Sequence, residues 1–339
     1  MAGFAATSAQ PGKVGSDPAD PPAERDRFQR EVLEGLARPQ RSLPSEWFYD
    51  ANGSRLFQQI MRLPGYYPTR LETAIFERHA EAMLAPAPED LSAVVDLGAG
   101  DGAKTLLLLA AARARAPGVV YAPVDVSAAA LASAAKRMVA AWPELPVEKV
   151  QAGYVAGLAQ AARRRPRGPL LAALLGSNLG NLEWTAALEL LRSLRRALRP
   201  GDLFLIGFDL LKDEAVLRAA YDDPEGVTAA FNLNLLARIN RELDGDFDLG
   251  AFRHRATFDP ARPAMESWLI SSRAQVVRVA GQRHALREGE ALHTEISWKY
   301  TEAQVEALAR EAGFEEVSRF FDDRRWFVDA LWRVGPEAA

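Results

Sequence analysis

The sequence predicts an α/β protein: a parallel sheet covered by helices on both faces, joined by a second, smaller α+β unit made from two separated pieces of chain. Three observations predict it. Short apolar runs alternate with amphipathic stretches between residues 94 and 208, the rhythm of a parallel sheet whose crossovers are helices. A glycine turn, Gly98-Ala99-Gly100-Asp101-Gly102, follows the first of those runs. The rhythm breaks after Asp213 and returns near residue 300.

The elements follow in order. Residues 1–25 are rich in Ala, Gly, Pro and Ser and read as a disordered tail. A helical pattern covers 26–36. The aromatic segment 42–50 carries helix-start chemistry, and helices are predicted over 54–63, stopped by Pro64, and over 71–84. Strand one is 94–97 and its helix 104–115. Strand two is 119–124, and the helix over 127–142 has Ser127 as N-cap. A weaker strand covers 147–153. The apolar strand 170–175 ends in Gly176-Ser177-Asn178-Leu179-Gly180-Asn181, and a helix (184–198) leads to a strand at 203–208. Beyond Asp213, a helix over 227–243 precedes alternating, antiparallel-type stretches around 256–258, 266–271 and 275–279. A helix at 302–312, a Gly-Phe turn and a last strand at 326–332 close the sheet. The expected division is a sheet domain, 71–211 plus 300–339, and a lid or substrate unit, 26–70 plus 212–299. Both pieces of the second unit feed the carboxyl edge of the sheet, where such folds bind ligands.

Composition excludes several classes. The 339 residues are 48% hydrophobic, ample for a core, and carry a formal charge of −4. A nucleic-acid partner has no electrostatic support, and the short basic run 163–167 reads as a solvated loop. There is no cysteine, hence no disulfide, thiolate metal site or cysteine nucleophile. The four histidines are scattered without metal-ligand spacing, so no metal is expected. No apolar run approaches the roughly 20 residues of a membrane span, and the N-terminus lacks a secretion signal. The expected location is the cytoplasm.

The glycine turn and Asp125, at the end of the next strand, are how an α/β sheet holds a nucleoside, with the acid accepting ribose hydroxyls. The pattern also fits a dinucleotide fingerprint. Three features favour S-adenosylmethionine. Asp96 stands just before the first glycine, where it can meet an ammonium group but would repel phosphates. The glycines are packed as Gly-x-Gly-x-Gly. The chain ends in the helix, Gly-Phe turn and strand typical of methyltransferase sheets. Lys104, in the first turn of its helix, opposes the helix dipole and is read as a contact to the cofactor carboxylate.

Several separated segments then give the chain a family likeness. They are Ser-Leu-Pro-Ser-Glu-Trp-Phe-Tyr-Asp (42–50), Gly-Ser-Arg-Leu-Phe (53–57), Arg-Leu-Pro-Gly-Tyr-Tyr-Pro-Thr-Arg (62–70), Leu-Gly-Ser-Asn-Leu-Gly-Asn-Leu (175–182), Ala-Tyr-Asp-Asp-Pro-Glu-Gly-Val-Thr-Ala-Ala-Phe-Asn (220–232) and Thr-Glu-Ile-Ser-Trp-Lys-Tyr (294–300). With them the chain resembles the histidine Nα-methyltransferases of ergothioneine biosynthesis from about residue 26 to the end. The resemblance implies a Rossmann-like class I methyltransferase sheet. It implies a monomer that transfers methyl groups from S-adenosylmethionine to the α-amine of L-histidine, giving trimethylhistidine (hercynine) and S-adenosylhomocysteine. It assigns Gly98, Gly100, Lys104 and Asp125 to the cofactor, with Gly153 and Tyr154 at the adenine. Tyr66, Gly176, Asn181 and Tyr221 surround the substrate, Glu295 and Ser297 hold the imidazole, and Tyr49 stands near the reacting amine.

The chemistry agrees with these roles. One imidazole nitrogen can donate to a carboxylate such as Glu295, while Asn181 and Tyr221 are neutral donors suited to a carboxylate. Two positions depart from the family pattern. Gly153 stands where an acid usually meets the adenine amine, and Ser267 stands where a methionine usually packs near the imidazole, with Met265 two residues earlier. The pocket is therefore expected to be larger or more polar. Two alternatives stay open: a methyltransferase for another amino acid, such as tryptophan, and a non-catalytic protein that keeps the fold.

Overall fold

A computed structural model describes residues 21–165 and 168–335. A seven-stranded sheet contains β1 (Ala93–Leu97), β2 (Val120–Asp125), β3 (Val150–Gln151), β4 (Leu170–Leu174), β5 (Leu203–Asp209), β11 (Phe314–Phe321) and β12 (Phe327–Val334). Its order is β11-β12-β5-β4-β1-β2-β3, parallel except that β12 runs antiparallel to both neighbours. Within the sheet this is 3-2-1-4-5-7-6, the order of class I methyltransferases. Strands β1, β4 and β5 are buried on both faces, which explains their unbroken apolar runs.

Helices cover the two faces and make two separate cores. On one face α6 (Tyr154–Arg164), α7 (Trp184–Ala197) and α10 (Glu302–Ala312) pack Leu158, Leu191 and Leu308 against Leu174, Phe204 and Trp332. On the other, α3 (Pro68–Leu84), α4 (Ala103–Arg115) and α5 (Ala128–Ala141) pack Phe76, Leu108 and Met138 against Val94, Tyr121 and Leu171. Ser127 caps α5 as expected, its hydroxyl accepting from Ala130 N at 3.2 Å.

A third core lies apart from the sheet. It joins α1 (Pro21–Ala37), the 3-10 turn Ser45–Phe48 and α2 (Ala51–Ile60) to α9 (Val227–Glu242) and to small antiparallel sheets. These sheets are β10-β7-β6, from β6 (Phe252–Asp259), β7 (Ala264–Ser271) and β10 (Ala291–Trp298), and the hairpin of β8 (Gln275–Val279) with β9 (Gln282–Leu286). Phe28, Trp47, Phe48 and Leu56 from the first piece of chain meet Phe231, Leu235 and Val277 from the second.

Several expectations are corrected. Helix α1 begins at Pro21, inside the segment read as a disordered tail; residues 1–20 lie outside the described residues. Proline at a helix start is favourable because its missing N–H has no partner there. The basic run was read as a loop, but Arg163 and Arg164 end helix α6, while 166 and 167 lie outside the described residues. Helix α2 starts at Ala51, three residues early, because Asp50 caps it by accepting from Gly53 N at 2.7 Å. Helices α6 and α8 (Glu214–Tyr221) and strands β9, β10 and β11 were not read from the sequence. The third strand shrinks to two residues.

One glycine fixes how α3 meets the sheet. Gly207 on β5 lies against Glu72 of α3, and a β-carbon there would come within 2.5 Å of Glu72 Oε1 and 3.1 Å of the Phe327 ring. Gly207→Ala is expected to destabilise the protein by about 1–3 kcal/mol, because neither the buried carboxylate nor the ring has room to retreat. Thermal unfolding of the two proteins measures this.

Candidate active site

The carboxyl ends of β1, β2, β4 and β5 form one crevice. Gly98, Gly100 and Gly102 all have positive φ (75°, 53° and 71°), a left-handed path that side chains disfavour. Nothing lies within 4 Å of a β-carbon placed on Gly100, so this turn is open to a ligand. Asp125 spans the turn: Oδ2 accepts from Gly100 N at 3.1 Å and Oδ1 from Ser127 N at 2.9 Å. Each oxygen keeps a lone pair, enough for two ribose hydroxyls. Burial raises the Asp125 carboxyl, offset by the N–H groups of Ser127 and Gly100.

Asp96 is 2% exposed. Thr105 Oγ1 and Tyr121 Oη donate to its Oδ2 at 2.6 and 3.0 Å, which leaves Oδ1 unengaged by either. Burial raises this carboxyl to about 6. Tyr154 lies over the turn, its ring and hydroxyl 3.3 Å from a β-carbon on Gly98. Gly153 has open space around its β-carbon position, so the acid usual there is missing without a steric cause.

The Lys104 ammonium pairs with Glu72, a carboxylate with no exposed surface, which offsets a cation at a helix N-terminus. Glu72 Oε1 also accepts from Gly176 N at 2.7 Å. Asp329, buried beside Glu72, is pushed well up by burial and by that neighbouring charge. Glu72 thus ties Lys104 to Gly176 (φ 81°) at the end of β4.

A cavity adjoins this crevice. Tyr49, Tyr66, Gly176, Asn181, Tyr221, Glu295 and Ser297 all line it, although they come from five separated stretches of sequence. The two units meet here: the 3-10 turn Asn178–Asn181 brings Asn181 from the sheet, and β10 brings Glu295 and Ser297. Asn178 joins the two sites, with Nδ2 3.5 Å from a β-carbon on Gly98 and 3.9 Å from one on Gly176. Tyr49 meets Phe57 and Phe231 edge-on, at centroid distances of 5.5 and 5.6 Å. Burial pushes the Tyr49, Tyr66 and Tyr221 phenols well above their ordinary value, so all three are neutral.

Glu295 is raised to about 7, first by desolvation, with Lys299 and Ser267 pulling the other way. Ser267 stands opposite it on β7, its hydroxyl 3.4 Å from Glu295 Oε2. The serine that replaces the expected methionine therefore adds a polar group behind the acid.

Sequence reasoning missed several groups here. Thr228 lines the cavity with a buried hydroxyl that has no partner, and Ser177, Asp209, Phe57 and Phe231 line it too. Thr228 and Phe231 sit inside the 220–232 segment and Phe57 inside 53–57, so the signal was present. Asp209 had one as well, as an acid at the carboxyl end of a buried strand. Among the described residues no cluster could hold a metal ion and no helix is long and apolar enough to cross a membrane.

A class I sheet with an open Gly-x-Gly-x-Gly turn, an acid spanning it and an adjoining polar cavity defines an S-adenosylmethionine-dependent methyltransferase. Residues 28–334 match the model of the family described as histidine-specific methyltransferase, SAM-dependent, and the chain belongs to that family. It is 41% identical to the histidine N-alpha-methyltransferase of Mycolicibacterium smegmatis, over 94% of this chain and 95% of that one. It is 39% identical to the enzyme of the same name from Mycobacterium tuberculosis, over 91% and 93%. Ergothioneine biosynthesis protein 1 of Schizosaccharomyces pombe is 26% identical over 82% of this chain, a match to 37% of that longer protein.

Proposed function

We propose that this chain methylates the α-amino nitrogen of L-histidine, three times in succession, to give trimethylhistidine for ergothioneine synthesis. The observation that carries this reading is the Glu295–Ser297 pair, an acid and a hydroxyl on one strand facing a cavity beside the glycine turn. An imidazole presents one N–H donor and one nitrogen acceptor, and this pair offers the complement. An indole has a donor and no acceptor, which disfavours a tryptophan-like substrate. Family membership and the two bacterial relatives' names support the same substrate.

Gly98, Gly100, Lys104, Asp125 and Tyr154 would hold S-adenosylmethionine, and the open turn and the spare lone pairs of Asp125 fit it. When bound it supplies the electrophilic methyl group and a thioether leaving group. The chain's own residues align and desolvate the amine. Asn181 donates to the substrate carboxylate, Glu295 accepts the ring N–H, Tyr66 faces the other nitrogen, and the bonded Tyr221–Ser297 pair offers its one free proton to that nitrogen or to the carboxylate. None of the described lining residues is a lysine or histidine, and the two lining carboxylates are engaged, Glu295 by the ring N–H and Asp209 by Lys212 and Lys299, so none serves as the base for the amine. The ammonium loses its proton through desolvation, to water. Tyr49, a neutral phenol, orients the amine and relays that proton. Its aromatic neighbours do not grip amine hydrogens, which permits repeated transfer. The pieces 26–70 and 212–299 together act as the substrate unit over a sheet domain of 71–211 and 300–339. S-adenosylhomocysteine is the second product.

Incubating the protein with labelled S-adenosylmethionine and a panel of amino acids, then reading product masses, tests the assignment. Mass gain of three methyl groups on histidine is expected; gain on tryptophan alone, or on nothing, overturns it. A pH dependence follows as well. Glu295 accepts the ring N–H as a carboxylate, so histidine affinity should rise as pH passes about 7. The ligand-free protein should behave oppositely. The Glu295 pKa is raised on folding from 4.5 to about 7, so its contribution to stability is full below 4.5 and is lost as pH rises through 7. The melting temperature of wild type relative to Glu295→Gln should therefore fall across that window.

A further inference from the structure

Lys299 follows β10 directly and has no exposed surface. A buried ammonium must spend its three protons on acceptors, and all three have one. Asp209 Oδ2 is at 2.9 Å, Tyr221 Oη at 2.8 Å and Ser297 Oγ at 2.7 Å. Tyr221 Oη and Ser297 Oγ are themselves 2.7 Å apart, which closes a triangle. Asp209 is fixed from behind by Lys212 and by the Tyr67 hydroxyl at 2.8 Å. Burial disfavours the Asp209 charge, but the two lysines outweigh it and leave this carboxyl below its ordinary value.

We infer that Lys299 is a positioning residue for substrate recognition: by donating to both hydroxyl oxygens, it leaves the Tyr221–Ser297 pair one unspent proton, aimed into the cavity. The inference rests on the histidine reading of that cavity. The proton count is forced. Two hydroxyls bring two protons. One lies in the bond between them. Neither can go to Lys299, which has no acceptor. The remaining proton faces the space that Tyr221 and Ser297 both line. If the bond runs from tyrosine to serine, serine offers the proton; if it runs the other way, tyrosine does. The ligand's stronger acceptor selects the direction. Lys299 thereby turns two freely rotating hydroxyls into a single obligate donor, and a ligand must present an unprotonated ring nitrogen or a carboxylate oxygen to it. A ligand without an acceptor there leaves a buried O–H unpaired, a loss of roughly 10- to 100-fold in affinity.

The test uses the full chain. Lys299→Met is expected to raise the KM for histidine about 30-fold, with kcat at saturating histidine within about threefold and S-adenosylhomocysteine affinity within about twofold. Lys299→Arg, which keeps the charge and donors, should recover part of the loss. A double-mutant cycle with Ser297→Ala isolates the role. The Ser297→Ala penalty seen in wild type should largely vanish beside Lys299→Met, because the hydroxyl pair is then already unfixed. An unchanged KM, penalties that simply multiply, or a parallel fall in kcat and S-adenosylhomocysteine affinity would each overturn the inference. If Lys299→Met does not fold, Lys299→Gln, which removes the charge and leaves Asp209 its Lys212 partner, is read by the same criteria. If wild type itself fails to bind histidine, the substrate reading fails and this inference with it. If wild type binds and the variant binds equally, only the role of Lys299 falls.

Discussion

Glu295→Ala is expected to weaken histidine binding by roughly 100- to 1000-fold while changing S-adenosylmethionine binding by less than about twofold. The size comes from two losses at one place. A carboxylate accepting an N–H makes a charge-assisted hydrogen bond, worth about 1.5–3 kcal/mol. Alanine also strands the ring N–H in a cavity, which places the cost at or somewhat above the upper end of that range. The selectivity comes from position. Glu295 lies on β10 of the antiparallel sheet, opposite Ser267, and not among the groups at the glycine turn. Calorimetry of each ligand measures both effects. Equal loss of both affinities would show that the variant has damaged the protein generally and that Glu295 is not an imidazole partner. Glu295→Gln should fall between the two proteins, since an amide still accepts but carries no charge.

The site and the fold were legible to different degrees, for physical reasons. Strands β1, β4 and β5 are buried on both faces, so their residues are apolar without interruption and read directly as parallel strands. The glycine turn was legible because its path needs positive φ. Helix α8 was not, because it has only eight residues and its acid and arginine face solvent. Strand β10 was hidden by its own function. An edge strand that lines a polar cavity carries Glu295, Ser297 and a bulge near His293, which breaks the alternation expected of a strand. Pocket membership was the least visible property. Nothing in local pattern says that Tyr49 and Glu295, nearly 250 positions apart, line one cavity; their roles were reached only through the family likeness. Lys299 and Lys212 escaped for a related reason. A lysine in sequence reads as solvated surface, and only the buried Asp209 at the end of β5 shows why these two are not. Lys104 was singled out, but not its partner Glu72, which sits 32 positions earlier on a different helix.

Asp125→Ala should produce the mirror image: S-adenosylmethionine binding falls roughly 100-fold or more, and histidine affinity measured in the cofactor's absence stays within about threefold. Asp125 does two things at once. It accepts from Gly100 N and Ser127 N, holding the turn and the start of α5 in place, and its spare lone pairs are the ones proposed to accept the ribose hydroxyls. Alanine removes the ribose partner and also leaves the Gly100 N–H unpaired, so the turn itself loosens. Asp125→Asn separates the two contributions. An amide oxygen can still accept from one backbone N–H, but the amide nitrogen replaces an acceptor with a donor, so at most half of the arrangement survives. The expected order of cofactor affinity is therefore wild type, then Asn, then Ala. If asparagine is as tight as wild type, the ribose contact is not made by this carboxylate. If histidine affinity collapses together with cofactor affinity in the alanine variant, Asp125 does not act on the cofactor side alone.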